Sequence, residues 1–172
     1  ARNPAALSGP DSVLARLLYA QLSRSPTWEG DLVGDRSAWA LSRQRGGLLV
    51  APLIESLADH DWRVRAYAAW ALTVSDASRA VPPLIVLLSD PNWRVRAMAA
   101  YAIDGIGEES AAAAMAGAAR DEAWQVRAAA VHFIGTLHSP KYQSLLETAL
   151  ADRHIAVRQA AAEAVSKPLS NQ

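Results

Sequence analysis

The side chains able to do chemistry in this sequence are four histidines, a set of arginines and aspartates that repeat in step, and six tryptophans. His60, His132, His138 and His154 show neither HExxH spacing nor a His–Glu pairing, so no metal centre is expected. The absence of cysteine removes thiol catalysis, disulfides and thiolate-ligated metals, and leaves the redox compartment open. There is no GxSxG, P-loop or GxGxxG motif; Gly105-Ile106-Gly107 reads as a helix terminus with no strand before it. His132 reads as a contact residue rather than a base. The expectation is a protein without a catalytic site, a cofactor or a metal.

The aromatic residues are a different matter, because they fall into columns at a spacing of 31 residues. One column is Trp62, Trp93, Trp124 and Ile155; another is Trp39, Trp70, Tyr101, His132 and Glu163. Arg63 and Arg94 share a position between them, as do Tyr67 and Met98. Trp, Tyr and Arg are the residue types that dominate binding hot spots. A second set keeps the same period: Asp59, Asp90, Asp121 and Asp152, each followed five residues later by a Val-Arg pair carrying Arg65, Arg96, Arg127 and Arg158. Aspartate and arginine in lockstep predict a ladder of caps and ion pairs between units rather than phosphate ligands.

Something must hold these columns in register. Each Val-Arg pair opens a run of small residues (Ala68-Ala69, Ala99-Ala100, Ala130-Val131, Ala161-Ala162) closed by Leu72, Ile103, Ile134 or Val165. Between those runs lies a second apolar stretch with Leu53, Leu84, Met115 and Leu146, again 31 apart. Two helices and two short turns fill that length. Asp61 and Asn92 stand at N-cap positions, Gly107 just past a helix end, and Ser139-Pro140 reads as an N-cap with proline at the first helical position. With 37 alanines and a single phenylalanine, closely packed helices are favoured over sheets. The predicted organisation is one domain over 1–172. A degenerate capping repeat spans 11–48 and four regular helix pairs span 49–166.

The pattern D-x-x-x-x-V-R-x-x-A-A-x-A-L at this period resembles the short HEAT-like repeats of the phycobilisome-lyase type. The resemblance covers Pro52 to Val165 well and Asp11 to Leu48 loosely. It implies an all-α fold, a right-handed α-solenoid of about five two-helix repeats. First helices would lie on the convex side and second helices on the concave side. The family includes scaffolds, bilin lyase subunits and fused sensory domains, so function is left open by the resemblance.

On a helical wheel of the second helix of unit two, Val64, Ala68, Ala71 and Leu72 form the stripe facing the unit's own first helix. Trp62, Arg63, Ala66, Tyr67 and Trp70 fall in the opposite sector, where the concave surface should be. The expected partner-binding face is therefore Trp39, Trp62, Arg63, Tyr67, Trp70, Trp93, Arg94, Met98, Tyr101, Trp124 and His132. Trp62, Trp93 and Trp124 have an alternative use as spacers against the next repeat. The leading expectation is a non-catalytic interaction module or scaffold whose aromatic concave face receives a protein or peptide. Next comes binding of a flat, acidic small molecule such as a bilin, in a lyase-subunit role. DNA binding, as in the HEAT-like alkylpurine glycosylases, ranks last because Lys+Arg 17 balance Asp+Glu 17 and no basic cleft is announced. No run is apolar enough to insert in a membrane. The chain opens on Ala1 without a signal-like segment, so it is read as processed or excised and, by default, cytoplasmic.

Overall fold

A computed structural model describes residues 50–73 and 78–166. The expected capping repeat over 11–48, including Trp39, lies outside the described residues. Eight α-helices in four pairs make up the rest: α1 (Val50–Ser56) with α2 (Trp62–Leu72), α3 (Val81–Leu87) with α4 (Trp93–Ile106), α5 (Ala112–Ala118) with α6 (Trp124–Thr136), and α7 (Gln143–Ala149) with α8 (Ile155–Ser166). A 3-10 turn leads into each of α3, α5 and α7. This is an all-α, HEAT-like solenoid. Among the described residues no helix is long and apolar enough to cross a membrane.

Caps set where the second helices begin and end. The Asp61 carboxylate accepts the Arg63 amide at 2.9 Å, and the Asn92 carbonyl accepts the Arg94 amide at 3.0 Å, each satisfying an orphan donor of the first turn. Gly107 closes α4 in the left-handed region (φ 72°), its amide bonded to the Ile103 carbonyl. His138, one repeat later, takes the same left-handed conformation (φ 47°) after α6. Ser139 departs from expectation. It stands before the 3-10 turn Pro140–Tyr142, with proline at the first position, but its side chain makes no cap bond.

Packing follows the alanines. Each second helix lies against the next, α2 on α4, α4 on α6 and α6 on α8, while each first helix packs mainly on its own second helix. Ala68, Ala69, Ala99, Ala100, Ala130 and Ala161 are fully buried and let these backbones approach closely. In the arrangement that HEAT-like repeats imply, this second-helix layer is the inner, concave one. Leu72, Leu84, Ile103, Met115, Phe133 and Ile134 fill the space between layers. Burial of each such side chain contributes about 1.5–3 kcal/mol.

The arginine of each unit joins it to the next. Arg65 grips Asp90 through Nε and Nη2 (2.7 and 3.1 Å), Arg96 grips Asp121 (2.7 and 3.0 Å), and Arg127 grips Asp152 (2.8 and 2.8 Å). The remaining nitrogen of each arginine donates to carbonyls of its own turn, as Arg127 does to Asp121 and Glu122. Each of these aspartates also accepts a backbone amide two residues ahead. One guanidinium thus satisfies a turn in its own unit and orients the turn of the next.

Candidate functional site

The inner face is formed by what α2, α4, α6 and α8 leave uncovered. A middle helix of this layer has second-helix neighbours on two sides, as well as its own first helix. The open stripe is therefore narrower than a wheel drawn for one helix implies. Ala66, Ala97 and Met98 are buried between neighbouring second helices, Met98 keeping 3% of its surface. Met98 is thereby removed from the expected binding face, and Tyr67, at the same register, is half-buried.

Trp62, Trp93 and Trp124 are the first residues of α2, α4 and α6, and the ring contacts of Trp62 and Trp124 run between repeats. The Arg94 guanidinium carbon sits 4.6 Å from the centroid of Trp93 and 5.7 Å from that of Trp62, one repeat back. Both distances are within cation–π range. Trp124 stacks on His154 of the next unit, with centroids 3.9 Å apart and planes 7° from parallel. Even so, Trp124 remains 36% exposed. Trp62, Trp70, Trp93 and Tyr101 are half-buried and rest on the core with one edge. Arg63 is exposed and held by its own N-cap, with Nη2 2.7 Å from Asp61. That bond, first among the causes, and the nearby cation hold the Asp61 carboxyl below the usual aspartate value.

The sharpest polar arrangement on this face involves a residue the sequence reading passed over. Asp104 lies three residues after Tyr101 on α4, on the same helical face, and both its oxygens stand 2.9 Å from His132 Nδ1 on α6. The imidazole side chain is half exposed while that of the carboxylate is mostly covered. Burial pushes the Asp104 carboxyl above its usual value, partly opposed by the His132 hydrogen bond. Tyr101 is also raised, first by burial and then by the Asp104 charge. The only sequence signal was an acid where the other units carry Thr73, Gly135 and Ser166. Among the described residues no hydrogen bond engages His132 Nε2, which can meet a partner's donor or acceptor.

Among the described residues no group of three or more histidine, aspartate or glutamate side chains is assembled for a metal. The inner face therefore offers aromatic edges (Trp70, Tyr101, Trp124), one oriented imidazole and two arginines. These groups suit recognition.

The comparisons point the same way on fold. The sequence profile of HEAT repeats matches residues 50–131 and 115–170, together more than half of the chain. Among solved structures, the chain is similar to one in the complex of CpcE and CpcF of phycocyanin lyase from Nostoc sp. PCC7120. The identity is 25% and the TM-score 0.62, covering 96% of this chain and 68% of that one. No curated protein matches the sequence.

Proposed function

The chain belongs to the HEAT-repeat family, and on that premise we propose that it is a non-catalytic scaffold whose inner face receives a protein partner. The observation that carries the reading is the Asp104–His132 pair beside Tyr101. A half-exposed imidazole is fixed across a repeat boundary, at a place where the core does not need it. On the same layer the partly covered rings of Trp70, Tyr101 and Trp124 are held by packed helices, so little side-chain entropy is lost on binding. The similar solved chain was found in a complex of two proteins, which supports a protein as the occupant here.

The test is a capture from the source cell extract using wild type and a Tyr101→Ser, His132→Glu variant. Whatever only the wild type retains is then purified and titrated. A purified partner that binds the variant at least about tenfold more weakly, with the melting curve preserved, supports the reading. A partner that binds both equally, or no protein distinguishing them, overturns it.

A lyase-subunit role is the second reading, favoured by the likeness to a phycocyanin lyase chain and by the presence of one oriented carboxylate–imidazole pair. An absorption shift of an added linear tetrapyrrole, lost in His132→Ala, would favour it over the first.

A further inference from the structure

On the opposite layer the first helices of the last two described units do not close against each other. Between α5 and α7 lies a cleft of about 380 Å³. Its origin is legible position by position. The second described helix pair carries Ile85 on α3 and Leu88 at its C-cap, both half-buried against the core, where the third carries Ala116 on α5 and Ala119 at its C-cap. Removing those aliphatic branches opens the wall of α5, and Leu145 and the Tyr142 ring of the next unit form the other side. A volume of this size falls at the lower end of what small organic ligands occupy.

The rim is charged in one sense. Arg120 stands where the second described helix pair has Ser89, and Lys141 holds its ammonium 5.2 Å from the centroid of the Tyr142 ring. Both are exposed, and among the described residues neither is engaged by a carboxylate. The one acid at the cleft, Asp152, is already gripped by Arg127 at 2.8 Å. The hydroxyl of Ser144 adds a donor on the α7 wall.

We propose that this outer cleft binds a small organic anion. Its apolar body would lie against Ala116, Ala119, Leu145 and the Tyr142 ring, and its carboxylate, sulfonate or phosphate group would meet Arg120 and Lys141. The site is on the other layer from the protein-binding face and stands or falls independently of it. An alanine wall supplies room but little affinity of its own, so the two cations fix orientation and the ring supplies contact area.

The experiment uses the fluorescent anion 1-anilinonaphthalene-8-sulfonate and its neutral analogue N-phenyl-1-naphthylamine on the intact chain. Wild type should bind the sulfonate saturably at one site. Grafting the residues of the second described helix pair, Ala116→Ile with Ala119→Leu, should weaken both probes by about tenfold or more. Arg120→Ser should weaken the sulfonate several-fold and leave the neutral probe unchanged. Melting curves accompany each variant, and if the graft fails to fold, Arg120→Ser decides alone. The absence of saturable binding by wild type, an undiminished signal in a folded graft, or equal loss of both probes in Arg120→Ser would overturn the proposal.

Discussion

Asp104 and His132 form a contact across a repeat boundary, with Nδ1 2.9 Å from both carboxylate oxygens, and the carboxylate is the more deeply covered partner. Because burial raises the Asp104 pKa from its usual 3.8, the folded chain holds that proton more tightly than the unfolded chain. The stability associated with the protonated form is complete below that value and is lost as pH rises through the higher, folded pKa. Asp104→Asn removes this dependence. Its melting temperature relative to wild type should therefore climb as pH rises from below 3.8 through the higher, folded pKa. A difference that stays flat or falls over that range would contradict the assignment.

The arginine–aspartate ladder predicts a graded cost along the array. Arg96 has a side chain only 10% exposed and serves Asp121, so Arg96→Ala strands a covered carboxylate and should cost about 3 kcal/mol or more. Arg158 donates one bond to the Asp152 carbonyl and meets no carboxylate among the described residues; Arg158→Ala should cost about 1 kcal/mol. Urea midpoints for the two variants check the ranking, and equal costs would mean that the inter-unit fork contributes nothing beyond its bonds to the turn.

Asp152 should supply the acid limb of the stability profile. The Arg127 hydrogen bond lowers its pKa below 3.8, with the backbone amide of His154 helping, so its contribution is present above that value and lost as pH falls through the lower, folded pKa. Asp152→Asn should be less stable than wild type at neutral pH, and the gap should narrow in acid. Chemical denaturation at neutral pH and at about pH 3 measures it.

The parts of the fold that the sequence made readable are those repeated in register. Val64, Val95, Val126 and Val157 mark the second helices, and Asp61, Asn92 and Gly107 sit at the helix ends the turn chemistry implies. Met98 was misjudged because a wheel treats one helix in isolation, whereas α4 is flanked by α2 and α6 and loses both lateral sectors to them. Asp104 escaped notice for the opposite reason. It has no counterpart at the period, and its partner lies 28 residues away on another helix, which no local pattern encodes. The stacking of Trp124 on His154 was equally hidden, since a column of tryptophans at a helix start is compatible with solvent and with a neighbouring repeat alike.

His138 occupies the position one repeat after Gly107 and adopts the same left-handed backbone, which a residue with a Cβ reaches at a cost of about 1–2 kcal/mol. His138→Gly should recover part of that, raising stability by about 1 kcal/mol, whereas Gly107→Ala should lower it by a similar amount. The Gly107 site has open space around it, so strain alone is at issue there. Matched denaturation curves with unchanged slopes test both; a destabilised His138→Gly would show that the imidazole makes contacts that outweigh the backbone.

Gly105 tests how tightly the inner layer is drawn together. A Cβ at this position of α4 would come 2.5 Å from Thr73 Cγ2 and 2.9 Å from the Thr73 carbonyl oxygen. The methyl could move aside, but the carbonyl belongs to the backbone that ends α2, and the Thr73 hydroxyl is itself tied to the Trp70 carbonyl at 2.6 Å. Gly105→Ala therefore has to part α2 from α4, at about 1–3 kcal/mol, and with them the half-buried rings of Trp70 and Tyr101. Gly117, on α5 with nothing within 4 Å, is the control: alanine there should gain about 0.5–1 kcal/mol from helix propensity alone. If separation of the inner helices displaces the aromatic edges, Gly105→Ala should also weaken partner binding while Gly117→Ala leaves it intact. Loss of stability without loss of binding would mean that the rings are positioned by their own helices and not by the spacing between them.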